Sequence, residues 1–369
     1  MIYIKVHFLE DIKHMNSRAN QLQFLRFCAF LLICVFHTGQ FQFDWCPSGN
    51  GAANAVEFFI VLSGFVSGYS SYKKDISCGI KDIFNYVWRK LRKVYPLYFI
   101  TMIFTVAYSG IPDLVATHNF EGLTGPLKQL LRCLLLVQSW FPTGYFSFNG
   151  VGWFLSTIIF LYICNLPLRA LAGKIKKKNK ADIWFIGVFI VTSACILLYC
   201  YLTRNTNMEY TQYVLPVSRL GEYICGMALG YLAYSMNVKI DLKPTASRVV
   251  FSILEILMFY IWIKGMYVTM EPWHYRIWHW FLPNCLLILV FSLGRGILSQ
   301  VFRFNPLRYL GDISFECFLV HQIVIYLYTK VCGLSVMSKL GNLFSIGFCI
   351  VMTVMISSLI SNAKLSKSN

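Results

Sequence analysis

The sequence predicts an all-α, polytopic integral membrane protein of about ten transmembrane helices with both termini in the cytoplasm. Three observations carry this expectation. Apolar residues make up 57% of the 369 and charged residues 13%, too few to solvate the surface of a soluble protein. Ten apolar stretches reach about the 20 residues that a helical crossing takes. Of the 33 Lys and Arg, 24 fall in segments assigned to the cytoplasmic side, six in outer loops and three inside spans, which is the positive-inside bias. That bias also explains the net charge of +17, so attraction to anionic lipid is expected and nucleic-acid binding is not.

The elements follow in order. A polar cytoplasmic segment, 1–21, lacks the pattern of a cleavable signal peptide, so the first span, 22–40, is expected to stay attached. Spans 54–72 and 88–109 come next, then an outer loop over 110–148 rich in aromatic residues, among them Trp140, Phe141, Tyr145, Phe146 and Phe148. Spans 149–168 and 183–202 flank a Lys-rich loop at 174–180 that reads as a topology determinant. Spans 212–234, 247–269, 275–294, 309–330 and 341–361 complete a single membrane domain over 22–361, with a cytoplasmic tail at 362–369. Trp273, His274, Tyr275, Trp278, His279 and Trp280 resemble an interfacial aromatic belt. The 13 Cys show no CxxC or Cys/His pattern and read as small apolar packing residues; no metal site, disulfide framework or bound cofactor is expected.

Ionisable groups inside spans are costly, so each is a candidate for function. Arg26 and His37 are eleven residues apart, about 1,100° of helical rotation, and project from nearly one face about 16 Å apart along the axis. Glu57, near the outer end of the second span, lies at about the depth of His37 and can orient its ring, leaving one nitrogen as a base. The alternative is a Glu held by backbone or hydroxyl donors. Arg89 and Arg92 stand at i and i+3, a pair of planar forks suited to phosphate, though a stop-transfer cluster has the same form. Arg219 and Glu222 are an opposite-sign i, i+3 pair that can be a plain internal salt bridge, and Gly226 and Gly230 after them predict close helix packing. Ser314 and His321 are one heptad apart on one face. No G-x-S-x-G elbow, Walker A, Rossmann glycine pattern or H-E-x-x-H helix is present, which argues against serine hydrolase, NTPase, dinucleotide and zinc-protease chemistry.

Taken together, Leu25-Arg26 through Phe36-His37, Val56-Glu57 through Gly64-Phe65, Arg89-x-x-Arg92, Gly152-Trp153-Phe154-Leu155, Arg219-x-x-Glu222 and Ile313-Ser314 to His321 resemble acyltransferase family 3 of bacterial membrane proteins over about 16–361. The resemblance implies a ten-helix enzyme of the inner or plasma membrane. Such an enzyme takes an acyl group, most often acetyl from cytosolic acetyl-coenzyme A, to a hydroxyl of a glycan or glycolipid. It also implies that Arg26 and His37 form the Arg-x10-His motif and that Arg89 and Arg92 form the paired-arginine motif. Many relatives carry a Glu soon after the Trp-Phe-Leu-like start of the fourth span; this chain reads Ser156-Thr157-Ile158 there. No fused periplasmic hydrolase-like domain is expected.

Residues and resemblance together suggest that Arg89, Arg92 and Arg26 hold coenzyme A phosphates. His37, oriented by Glu57, then acts as general base on the acceptor hydroxyl. Trp153, Arg219, Glu222, Ser314 and His321 are supporting candidates, and an acyl-enzyme on Ser63 or Ser314 is the variant pathway. A transporter or flippase of a lipid-linked glycan, without acyl-transfer chemistry, is the alternative from a different class.

Overall fold

A computed structural model describes residues 20–39, 50–74, 76–110, 124–239, 244–265, 280–332 and 339–366. Outside them lie nearly all of the expected N-terminal segment, part of the outer loop, the last residues of the tail, and Trp273, His274, Tyr275, Trp278 and His279 of the expected belt. The described residues are helical without strands. They form α1 (Gln21–His37), α2 (Asn50–Ser71), α3 (Ile80–Thr105), α4 (Thr124–Leu134), α5 (Gly152–Lys176), α6 (Ala181–Leu202) and α7 (Leu220–Lys239). After these come α8 (Pro244–Lys264), α9 (Leu282–Leu293), α10 (Ile297–Phe302), α11 (Asn305–Asp312), α12 (Ser314–Cys332) and α13 (Lys339–Ser366).

Each expected apolar stretch overlaps a helix in its described part, and among the described residues five helices are long and apolar enough to cross a membrane: 51–71, 152–176, 181–202, 314–332 and 341–364. Gln21–His37 and Leu282–Leu293 are apolar but shorter. On α6 the large side chains of Ile183, Trp184, Ile186, Ile190, Val191 and Leu198 face outward, an arrangement that water penalises and lipid accepts. This is a membrane protein. The expected span at 212–234 is broken: a π-helical turn at Glu209–Val214 gives way to a short 3-10 turn at Pro216–Arg219, and only then does α7 begin. Pro216 has no N–H to continue the preceding ladder, which accounts for the break.

The tightest packing joins α2 to α7. A Cβ at Gly64 would strike the Tyr223 carbonyl, one at Gly226 the Val61 carbonyl and one at Gly230 the Phe65 carbonyl. The small residues expected on α7 thus meet a matching Gly64 and Gly68 on α2, and the two backbones touch. α1 runs through the middle of the bundle, packed on α2, α11, α12 and α10.

Buried polar groups are clamped. Asn284 Nδ2 donates to the Asn54 side chain (2.9 Å) and accepts at Oδ1 from Trp262 Nε1 (2.7 Å). Glu255 caps the start of α10, accepting from the backbone N–H groups of Gly296 and Ser299, both at 2.9 Å. α3 starts where Asp82 accepts from Ser77 Oγ (2.6 Å) and the Gly79 N–H (3.0 Å). Those bonds, Ser77's first, hold its carboxyl below the usual carboxylate range.

Candidate active site

The bundle holds a cavity of about 350 Å³ bounded by α1, α2, α3, α5 and α12. One part of its wall is polar, with two cations, Arg26 from α1 and Lys90 from α3, beside Gln23 of α1 and the Tyr162 phenol of α5. The rest is apolar, with Phe59, Phe154 and Phe318 among the lining rings and two hydroxyls, Ser63 and Ser314. Arg26 donates to Gln23 Oε1 (2.8 Å) and lies within electrostatic reach of Asp312, Glu316 and Tyr162. The Lys90 ammonium sits over the rings of Tyr86 (5.6 Å) and Tyr162 (5.5 Å), which meet edge to face. Arg89 and Arg169 act on this ammonium from nearby, so cationic groups of three helices converge here.

Neither Arg89 nor Arg92 lines the cavity. Both are exposed, and Arg89 Nε donates weakly to the Asn85 carbonyl (3.3 Å). The reason is helical phase: Tyr86, Lys90 and Val94 recur every four residues on the inward face, and a residue one step away is rotated by about 100°. Lys90, between the two arginines, is the cation of this run that lines the cavity. Ser63 and Ser314 donate to the carbonyls of Phe59 and Gly311, both at 2.7 Å, and so are engaged by their own backbone.

At the far end of α1, His37 meets His321 of α12, with His321 Nε2 3.2 Å from His37 Nδ1 and the ring centroids 5.0 Å apart. Aromatic edges fix both rings: Phe36 beside His37 (5.0 Å), and Phe30 (5.8 Å) and Phe318 (6.1 Å) beside His321. Phe318 belongs to both places, since it also lines the cavity and packs edge to face on Phe154 (5.5 Å). The cationic cavity and the histidine pair are thus joined through one phenyl ring.

The expected orienting partner of His37 was Glu57. Among the described residues the partners of the His37 ring are Ile33, Phe36 and His321, and Glu57 is turned elsewhere. Glu57 precedes Gly64 by seven residues, two helical turns, so it shares the α2 face that packs on α7. There it is buried and, with Glu222, lies within electrostatic reach of Cys285 on α9.

Arg219 and Glu222 form the internal ion pair foreseen as one option, at 2.9 Å and fully buried. Arg219 also donates to the Gln212 carbonyl (3.3 Å) and sits over the Tyr213 ring (5.6 Å). Trp153 is buried against that same ring (4.7 Å) and accepts from Ser139 Oγ at its carbonyl (2.7 Å). These residues bind the segment 203–219 to the start of α5 and do not line the cavity.

Beside the histidine pair, Asn149 Nδ2 donates to Thr101 Oγ1 (2.9 Å) and more weakly to the Leu319 carbonyl (3.4 Å), holding the loop before α5 against α12. This loop carries two bulky residues in the left-handed region, Leu136 (φ 54°) and Phe148 (φ 59°), a strained backbone that surrounding contacts must hold.

An acyltransferase-domain family model, that of acyltransferase family 3, matches residues 20–362, nearly the whole described chain. The chain belongs to this family. Acyltransferase MdmB of Streptomyces mycarofaciens is 31% identical over 343 residues, covering 84% of this chain and 79% of its own. The peptidoglycan O-acetyltransferase OatA of Listeria monocytogenes is 24% identical over 332 residues, 83% of this chain and 49% of OatA. YrhL of Bacillus subtilis is 24% identical over 324 residues, 83% of this chain and 48% of YrhL. The acyltransferase family 3 chain described here therefore spans about half the length of OatA and YrhL. No solved structure matches it.

Proposed function

We propose that this chain is an O-acyltransferase of the cell membrane that carries an acyl group, most simply acetyl, from cytosolic acyl-coenzyme A to a hydroxyl of a cell-surface or exported glycan or glycolipid. The observation that carries this reading is the joined pair of sites: a cavity with Arg26 and Lys90 in its wall, in contact through Phe318 with the His37–His321 pair. Cations at the end of a bundle rich in Lys and Arg suit the phosphates of coenzyme A. The apolar remainder suits a pantetheine arm and keeps water from the thioester. Arg89, exposed beside Lys90, and Arg92 form the rim through which the donor enters, and the positive-inside distribution of Lys and Arg supports a cytoplasmic rim. The name of one relative supports a glycan acceptor: OatA is a peptidoglycan O-acetyltransferase.

In the reaction His37 takes the proton of the acceptor hydroxyl as its oxygen attacks the thioester carbonyl. The C–S bond then breaks, the ester forms, and the coenzyme A thiolate leaves with the proton returned from the imidazolium. The thiolate is a good leaving group, so positioning and one base suffice. The exposed rings of Trp140 and Phe146 lie in the loop before α5 and offer faces on which a sugar acceptor can stack.

The test is made in membranes containing the full chain. With acetyl-coenzyme A as donor, free coenzyme A is expected to accumulate only when a hydroxyl-bearing envelope glycan is supplied. Mass spectrometry of that glycan is expected to show added acetyl groups. Movement of the glycan across the bilayer with no consumption of donor would establish the flippase reading instead.

A further inference from the structure

We propose that His321 is a positioning residue of the base: together with the Ile33 carbonyl it holds His37 in the tautomer that carries its proton on Nδ1 and leaves Nε2 as the nitrogen that takes the acceptor's proton. This rests on the reading of His37 as the base. The assignment follows from three distances. His37 Nδ1 lies 2.8 Å from the Ile33 carbonyl oxygen, and His321 Nδ1 lies 2.8 Å from that of Phe318. A carbonyl oxygen only accepts, so both Nδ1 atoms must carry hydrogen. A neutral imidazole has one N–H, so His321 Nε2 keeps its lone pair, and that lone pair faces His37 Nδ1 at 3.2 Å. The His37 Nδ1–H is therefore shared between the Ile33 carbonyl and His321 Nε2.

Moving the His37 proton to Nε2 would leave two lone pairs and a carbonyl facing one another, with no hydrogen between them. His321 is fully buried, so that arrangement has no water to relieve it. The Nε2 lone pair of His37 is thus the free one. When it takes the hydroxyl proton, the charge that forms on the ring is met at Nδ1–H by two acceptors already in place, without reorganisation. The proton then passes to the departing thiolate and the pair returns to its starting state. A second imidazole fills the role often taken by a carboxylate, and it adds no fixed negative charge beside the base. Sequence order hides the relation, since the two residues are 284 positions apart.

The experiment compares His321→Gln, His321→Phe and His37→Ala in the full chain, with acetyl-coenzyme A as donor and an envelope glycan as acceptor. A Gln amide oxygen can accept from His37 Nδ1–H, whereas Phe fills the ring space and accepts nothing. His321→Phe is expected to lower kcat about 10- to 100-fold, the scale of one charge-assisted hydrogen bond, with the donor KM unchanged. His321→Gln is expected to recover most of that loss. Equal damage by Gln and Phe, or a wild-type kcat in His321→Phe, would overturn the assignment. Should His321→Phe not fold, His321→Leu is read in the same way. The two readings separate cleanly: a fully active His37→Ala protein removes the base itself. An inactive His37→Ala beside a fully active His321→Phe removes only the positioning role.

Discussion

His37→Ala is expected to insert and fold as the wild type and to transfer acyl groups at least about 100-fold more slowly, the lower end of what a positioned general base contributes. Folding should survive because the His37 ring is only partly buried, at the end of α1, and its hydrogen-bond and ring partners among the described residues are Phe36, His321 and the Ile33 carbonyl. Activity should not survive, because a hydroxyl is a poor nucleophile while it keeps its proton and the pair offers one free lone pair to remove it. Steady-state release of free coenzyme A from purified protein, together with thermal unfolding of the same sample, separates the two effects.

Lys90→Met is expected to raise the donor KM by about 10-fold or more, since a charge-assisted hydrogen bond to phosphate is worth roughly 1.5–3 kcal/mol. Arg92→Gln, on the exposed side of the same helix, should shift it by less than about 5-fold, as solvent screens an exposed charge. Met keeps the length of the Lys stem and its packing near Tyr86 and Tyr162, so the change reports the charge. Titration of acetyl-coenzyme A at saturating acceptor gives both KM values. A larger shift at Arg92 than at Lys90 would return the donor site to the exposed pair and away from the cavity.

The all-helical class and the apolar helices were legible because hydrophobic length acts locally along the chain. The α2–α7 contact was half legible: Gly226 and Gly230 announced a close approach, but nothing in their spacing named Gly64 and Gly68 as the surface approached. The break at Pro216 was readable from the Pro alone and was hidden by the apolar run around it. Short helices such as α10 and α11 have too few residues to show a period.

At the site, Arg26 and His37 lie on one helix as their spacing required. The partner of His37 was not readable, because depth in the membrane gives a residue's height and not its azimuth. Glu57 was paired with His37 by height alone; the α2 face that carries Glu57 packs on α7, and His321 meets His37 instead. Lys90 was obscured by the same ambiguity within a run of cations, where which residue faces inward depends on about 100° of rotation.

The measurement closest to the central claim is the location of the donor in the full chain carrying His37→Ala, determined by electron cryomicroscopy with acetyl-coenzyme A. Phosphate density against Arg26 and Lys90, with the thioester beyond the rings of Phe59, Phe154 and Phe318 and beside position 37, is the expected result. A donor bound outside this cavity, with the thioester distant from position 37 and His321, would contradict it.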